Sequence, residues 1–361
     1  MVNYLYNIAT GCEKGFMAGI VRAFLFLLSL VYWLFIRLMI FFQGRVAKRL
    51  DCKVVSVGNI TVGGTGKTVL VEYIARELKA QGRKVAVISR GYKRVTLLAQ
   101  SAGVPSHQGT ANSMGDEPYM LTQKLGDIPV VVDADRVRGI NKAIREFSVD
   151  TVVLDDGFQQ WRIKKDLEIV ALDVANPFGN KHMLPRGLLR EPLSSLCRAD
   201  IFVLTKVNLN PDTLSLKAKL EKLCPKVAVF ESEHQAEGFY AFGSPKELFG
   251  TEVFRGKPAV LFSGIGDPAS FEELARNQGI NVAAALRFPD HYNYGSQDFS
   301  KIFELCRVKA VETVITTEKD AARISPDESI PQGISLFILR IRLRLKDEQG
   351  FRNRLHKLYS F

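Results

Sequence analysis

One stretch constrains this chain more than any other, Lys53 to Thr68, which reads Lys-Val-Val-Ser-Val-Gly-Asn-Ile-Thr-Val-Gly-Gly-Thr-Gly-Lys-Thr. A β-branched apolar run gives way to Gly63, Gly64 and Gly66, then to Lys67 and Thr68, and Val69 to Lys79 carries helical apolar spacing. The order strand, glycine loop, helix is that of a phosphate-binding loop. Glycines let backbone N–H groups turn towards phosphate oxygens, and the helix start adds partial positive charge. Lys67 reaches the β- and γ-phosphates, and Thr68 offers a hydroxyl to Mg²⁺. The binding segment is therefore Thr61, Val62, Gly63, Gly64, Thr65, Gly66, Lys67 and Thr68, and a nucleoside triphosphate is the expected ligand. The general pattern has glycine where Thr61 stands, but the flanking strand and helix supply the context the mechanism requires.

Further short apolar strands fit around this loop. Lys84 to Ser89, Ile128 to Val132, Thr151 to Asp156 and Leu167 to Val174 alternate with helical segments at Val69 to Lys79 and Val137 to Phe147. Such a βαβ rhythm predicts a parallel sheet covered by helices. Thr96 to Asn112 has loop composition without periodicity. After Thr205-Lys206 the composition shifts. Asn208 to Leu223 reads as a polar helix, Lys226 to Phe230 and Gly238 to Phe242 as strands linking two lobes, and Lys257 to Phe262 opens a second α/β unit. There, Ser263-Gly264-Ile265-Gly266-Asp267-Pro268 is too short for a nucleotide site and reads as a tight strand-to-helix turn. Phe271 to Asn277 continues as helix, Val311 to Thr316 as strand, and Ile334 to Leu345 as a long strand with arginines on one face.

The N-terminal segment is of another kind. Ala23 to Phe42 is apolar on all faces, rich in aromatics and about as long as a bilayer is thick. A cleaved signal peptide fits poorly, because the stretch is too long and no small-residue cleavage site follows. A buried core helix is an alternative, yet such a sequence belongs more naturally in lipid, spanning it or lying in one leaflet. Arg45, Lys48 and Arg49 follow it, which predicts that the catalytic region faces the cytoplasm.

The net charge of +11 calls for an acidic partner: nucleic acid, an anionic membrane surface or a phosphorylated substrate. No aromatic-and-basic module supports a nucleic-acid role. Cys12, Cys52, Cys197, Cys224 and Cys306 lie far apart without a C-x-x-C pair, which argues against a disulfide framework or zinc cluster and for a reducing cytosol.

Two acidic pairs are candidates for chemistry. Asp155 and Asp156 end a strand where, beside a phosphate loop, one carboxylate holds Mg²⁺ and the other orients the first. Asp116 and Glu117 precede Pro118 at a helix start, where acids are also favoured by the helix dipole alone. The segment Gly179 to Pro192 brings Arg186 and Arg190 into a loop, as phosphate clamps or as solvated charge.

Seven blocks together resemble the tetraacyldisaccharide 4′-kinase family. They are Gly58 to Thr68, Ser89-Arg90-Gly91-Tyr92, Gly115-Asp116-Glu117-Pro118, Leu154-Asp155-Asp156-Gly157-Phe158-Gln159, Leu189-Arg190-Glu191-Pro192, Phe288-Pro289-Asp290-His291-Tyr292 and Thr316-Thr317-Glu318-Lys319-Asp320-Ala321. The resemblance spans nearly the whole chain. It implies transfer of the ATP γ-phosphoryl to the 4′-hydroxyl of a tetraacylated, 1-phosphorylated glucosamine disaccharide at the cytoplasmic face of a bacterial inner membrane, giving lipid IVA. It further implies that Asp116 with His291 takes the hydroxyl proton, and that Lys67 and Thr68 serve the phosphates and Mg²⁺. Asp155 and Asp156 would serve the metal, and Arg190 with Glu191 the reacting end of the site. Gln160 stands where the family pattern has His, and Lys181-His182-Met183 and Arg186 replace less charged residues; both bear on substrate preference.

The expected architecture is a P-loop NTPase-like parallel lobe (44–230), a second smaller α/β lobe with linker strands and a C-terminal helix (231–361), and a membrane helix region (1–43). Asp116 falls in the first lobe and His291 in the second, so their pairing requires lobe closure. The partners are a lipid substrate and an anionic membrane, and a monomer is expected. The other class in play is a membrane-bound switch or positioning ATPase. For it, Val62 stands where a signature lysine belongs, and Thr205-Lys206-Val207-Asn208 has Asn where a guanine reader has Asp.

Overall fold

The computed structural model describes Glu13 and residues 15–91, 114–209, 212–325 and 328–360. Cys12, Tyr92 and the expected loop Thr96 to Asn112 lie outside the described residues. In chain order the elements are α1 (Phe16–Arg45), β1 (Lys53–Gly58), α2 (Lys67–Ala80), β2 (Val85–Ser89), α3 (Asp116–Leu125), β3 (Val130–Val132), α4 (Arg136–Phe147), β4 (Thr151–Asp155) and β5 (Leu167–Asp173). Next come β6 (Ile201–Thr205), α5 (Leu214–Leu223), β7 (Ala228–Ala241), β8 (Pro258–Ser263), α6 (Pro268–Asn277) and β9 (Asn281–Arg287). The chain closes with α7 (Ser296–Lys309), β10 (Thr313–Thr317), α8 (Glu318–Ala321), β11 (Ser335–Leu345) and α9 (Glu348–His356).

These elements form two compact units, residues 1–90, 133–232 and 345–361 in one, 91–132 and 233–344 in the other. The division is not the linear one expected at residue 230. Segment 91–132, with Asp116, belongs to the second unit, and the C-terminal segment belongs to the first. Packing explains the latter. Phe351 of α9 is fully buried, edge-on to Phe230 at 5.3 Å and to Tyr73 of α2 at 6.1 Å, while Arg352 bonds Glu77 of α2 at 3.0 Å.

In the first unit the strand order is β2-β4-β1-β5-β6-β7, with parallel registers throughout. Val54, Val55 and Val57 of β1 are fully buried, as expected of a central strand with helices on both faces. Val57 stands opposite Asp155, and Asp173 opposite Thr205. The C-terminal ends of β1, β4, β5 and β6 therefore share one edge of the sheet, the edge at which parallel α/β folds bind ligands.

The expected N-terminal helix extends over 30 residues, about 45 Å at 1.5 Å per residue. Ile36 is buried, and Tyr32 and Ile40 pack with it against a cluster containing Phe158, Met183 and Leu189. Phe24, Leu27, Leu34, Phe35 and Phe42 are each more than half exposed. The buried-core alternative thus fails for this helix: one stripe docks, and the remaining apolar surface faces outward on a helix long enough and apolar enough to cross a membrane.

The second unit carries a parallel sheet in the order β11-β10-β8-β9. Phe262, Phe299, Ile302 and Val314 fill its core. The turn after β8 leads into α6 as expected, with Asp267 accepting from the Ser270 N–H and Pro268 in the first helical turn. Strand β9 is not evident in the sequence. Its Val-Ala-Ala-Ala-Leu core carries helix-favouring alanines, and pairing with β8 overrides that preference. The two strands expected at Lys226 to Phe230 and Gly238 to Phe242 are one continuous strand, β7.

The expectation of unpaired thiols is corrected in one place. Cys197, in a 3-10 turn (Leu193–Arg198), and Cys224, capping α5, form a disulfide across 27 residues. Their Cα atoms lie 5.1 Å apart, a proximity that sequence spacing does not reveal. Cys52 and Cys306 are free.

Truncating Phe351 to Ala is expected to destabilise the protein by about 3–5 kcal/mol, the usual loss for a buried aromatic. Urea denaturation followed by tryptophan fluorescence measures it, and a change under 1 kcal/mol (roughly the scale of a surface substitution) would deny α9 its place in the first unit.

Candidate active site

The glycine loop follows β1, and its shape is held from several directions. Buried Asn59 donates from Nδ2 to the Thr61 carbonyl at 2.7 Å and to Thr65 Oγ1 at 3.0 Å. The Thr205 hydroxyl donates to the Thr65 carbonyl at 2.9 Å, and Lys206 Nζ to the Gly64 carbonyl at 3.3 Å and to Asp173 at 2.6 Å. Thr205 and Lys206, which open the segment compared with a guanine reader, thus brace the loop from behind. Gly66 takes a left-handed conformation (φ 77°) that a Cβ would disfavour, and α2 begins immediately after it with no side chain capping its N–H groups. An uncapped helix start facing a glycine loop is what a phosphate requires.

The strand end at Asp155-Asp156 packs closely beside it. A Cβ on Gly157 would collide with Ser56 Oγ and approach Leu154 Cβ at 2.9 Å, so only glycine lets Phe158 follow into the core, where it is fully buried. Asp155 is buried and accepts from Ser89 Oγ at 2.9 Å. Asp156 faces the loop. Lys67 Nζ stands 3.5 Å from its Oδ1, and Arg190 Nη1 bonds both carboxylate oxygens at 2.9 and 2.8 Å. Burial opposes the Asp156 charge, but the two cations outweigh it and hold the carboxyl at about 2.

Arg190 reaches this position because its segment pairs with the loop. The Arg190 N–H donates to the Ile60 carbonyl at 2.8 Å and the Val62 N–H to the Leu188 carbonyl at 2.8 Å. From the other side, the Tyr32 hydroxyl of α1 donates to the Arg190 carbonyl at 3.1 Å. Glu191, expected at the reacting end, is instead fully buried. Its carboxylate accepts from Gln159 Nε2 and Trp161 Nε1, both at 3.1 Å, and from Arg198 at 2.7 and 3.1 Å. A carboxylate so enclosed cannot touch substrate; it anchors the segment that carries Arg190.

Asp116 and His291 lie in the same compact unit, so their pairing needs no lobe closure. Gly115 brings no capping side chain, and Asp116 sits in the first turn of α3, where the helix dipole favours an anion. His291 adopts φ 60° and its N–H donates to the Gly264 carbonyl at 3.1 Å. Its Nδ1 lies 3.4 Å from Asp116 Oδ2. Burial alone would raise the Asp116 carboxyl, yet the contacts with His291 and Arg323 hold it below its ordinary value. Arg323 is not among the residues expected from sequence. Its Nε donates to Asp116 Oδ2 at 2.6 Å, and Glu117, next to Asp116 in the chain, is paired with Lys319.

The comparisons with known proteins rest on nearly the full length. The family model for tetraacyldisaccharide-1-P 4′-kinase matches residues 21–360. The chain belongs to this kinase family. A tetraacyldisaccharide 4′-kinase of Halothermothrix orenii is 35% identical over 363 residues, covering 95% of this chain and 94% of that protein. One of Desulfatibacillum aliphaticivorans is 37% identical over 348 residues, covering 92% and 91%. The crystal structure of LpxK from Aquifex aeolicus, described as an "apo" form in complex with ATP, superposes with a TM-score of 0.75 at 27% identity, over 94% of this chain and all of that one. The activity is thus that of the family, an ATP-dependent 4′-kinase of lipid A biosynthesis, and the switch-ATPase reading falls.

Sequence reasoning misses the residues behind the site of this kinase: Ser89, Trp161, Arg198, Arg323 and the buried Asp320. Ser89 and Asp320 stand inside the resembling blocks, but nothing in the sequence says which side chain a buried carboxylate will face.

Because folding lowers the Asp156 carboxyl from its ordinary value to about 2, its contribution to stability is complete above the ordinary value and is lost as pH falls towards about 2. The urea midpoint of the wild type is expected to drop more steeply than that of Asp156→Asn between about pH 5 and pH 2.5; parallel curves would remove the Lys67–Asp156–Arg190 cluster as a stabilising feature.

Proposed function

We propose that the first unit of this kinase binds ATP at Thr61 to Thr68, with Lys67 and Arg190 as the phosphate-facing cations, and that Asp116 with His291 takes the proton of the sugar 4′-hydroxyl. The observation that carries the reading is the convergence of Lys67 and Arg190 on Asp156 beside an uncapped helix start. Two cations sharing one carboxylate are available to a polyphosphate, which competes for them with greater charge. The ATP in the Aquifex complex supports the same ligand here.

The donor set also suits magnesium. Thr68, Asp155 and Asp156 offer a hydroxyl and two carboxylates, and no cluster of three His, Cys, Asp or Glu groups occurs among the described residues. Mg²⁺ typically takes one or two carboxylates and completes its shell with water and phosphate oxygens, unlike zinc. When bound, it neutralises charge on the phosphates. The protein groups do the rest. Lys67 and Arg190 orient the γ-phosphoryl, and Glu191, through its bonds to Gln159, Trp161 and Arg198, keeps the Arg190 segment in place.

In the transfer, the 4′-oxygen loses its proton to the Asp116–His291 pair and bonds to the γ-phosphorus. The bond from that phosphorus to the β,γ-bridging oxygen breaks, and ADP leaves. Both members of the pair are partly open to solvent, 22% for Asp116 and 26% for His291, so a hydroxyl can reach them.

The apolar N-terminal helix and the lipid A pathway suggest membrane association. We place the enzyme at the cytoplasmic face of a bacterial inner membrane, with α1 seated in lipid. Two features support this: the exposed apolar surface of α1, and Arg45, Lys48 and Arg49 after it, where the chain enters the unit that needs cytosolic nucleotide.

With γ-labelled ATP and a tetraacyl disaccharide 1-phosphate in mixed micelles, label is expected in the lipid. Asp116→Ala and His291→Ala should each lower kcat by about 10²–10⁴ while leaving ATP binding intact, and Lys67→Ala should weaken ATP binding. Wild-type turnover in both dyad variants would remove the pair from the chemistry.

A further inference from the structure

We propose that Arg323 is a positioning residue that locks the Asp116 carboxylate and the His291 imidazole into one orientation and supplies the fixed positive charge behind them. The inference rests on the reading of Asp116 and His291 as the proton-accepting pair.

Every donor edge of the guanidinium is used. Nε donates to Asp116 Oδ2 at 2.6 Å, Nη1 to the Gly264 carbonyl at 2.8 Å, and Nη2 faces His291 Nδ1 at 3.2 Å. The same Gly264 carbonyl accepts the His291 backbone N–H at 3.1 Å. One planar group therefore fixes the side chain of α3, the turn after β8 and the ring of His291. A lysine, with a single point of charge, cannot span these three directions.

Behind it, Arg323 is itself held. Its side chain is 1% exposed, and Nη1 lies 3.4 Å from the fully buried Asp320. Asp320 also accepts from the Gly264 N–H at 2.9 Å, the Tyr294 hydroxyl at 2.8 Å and the Thr317 hydroxyl at 2.7 Å. Among the described residues, the charged and titratable groups around the pair are thus Arg323, Asp320 and Tyr294 behind, with the Glu117–Lys319 ion pair and Asp290 beside Lys319. Arg323 is sealed while Asp116 and His291 are open on their other side, so it acts on substrate only through them.

The test compares wild type, Arg323→Lys, Arg323→Gln and His291→Ala in the labelled-lipid assay across pH. Both Arg323 variants are expected to lose about 10²-fold in kcat, the usual loss for a misplaced reacting group, with the KM for ATP unchanged. In Arg323→Gln the acid limb of the kcat/KM profile should also move up by about one to three units, because a cation that favoured the ionised carboxylate is gone; in Arg323→Lys it should stay near its wild-type position. A purely structural role would lower activity in both without separating their acid limbs, and that result overturns the inference. If His291→Ala is fully active, the proton-accepting pair itself is wrong and the inference falls with it. If His291→Ala is inactive while Arg323→Gln matches wild type, only the role of Arg323 is lost. Should the Arg323 variants not fold, ¹⁵N spectra of the arginine guanidinium groups of the wild-type protein decide: separate, slowly exchanging Nη1 and Nη2 signals for Arg323 support the lock, and one averaged signal from a freely rotating group excludes it.

Discussion

The first unit depends on one carboxylate shared by two cations. Asp156 follows the parallel strand β4 with its side chain towards the glycine loop, and Lys67 and Arg190 meet on it from two different segments. Their attraction outweighs partial desolvation and keeps the acid ionised. The backbone makes the meeting possible, since Ile60 to Val62 and Leu188 to Arg190 exchange hydrogen bonds. The loop and the arginine segment are therefore one object, braced from below by Glu191 with Arg198, and from behind by Thr205 and Lys206.

The second unit repeats the device with a different outcome. Asp116 is again a carboxylate held below its ordinary value by neighbours, here His291 and the buried Arg323. The cation is sealed from water and tied to Gly264 and Asp320, which leaves the imidazole and the carboxylate as the exposed partners. Charge that would be costly alone is tolerated because every member is bonded.

The apolar helix has a third kind of logic. Among the described residues, a stripe that includes Phe26, Tyr32, Ile36 and Ile40 packs on protein, and Tyr32 reaches the Arg190 carbonyl. The same helix thus exposes much of its aromatic surface and touches the segment that carries Arg190. A lipid-acting enzyme gains from such an arrangement, since whatever seats the helix also seats the site.

Much of this is legible in the amino-acid sequence. The strand, loop and helix around Lys67, the aspartates ending β4, the helix start at Asp116 and the outward-facing apolar helix follow from local rules: β-branched runs, glycines where φ must be positive, acids at helix starts, and apolar surface too continuous for a soluble helix. Those rules act over a few residues, so a single sequence carries them. The tertiary structure alone decided that Asp116 and His291 share a unit, that α9 packs with the phosphate loop's sheet, that Cys197 meets Cys224, that Glu191 is interior and that Arg323 stands behind the pair. Each of these joins residues far apart in the chain, and which distant side chains meet is set by the packing of whole elements, a property no short stretch of sequence contains.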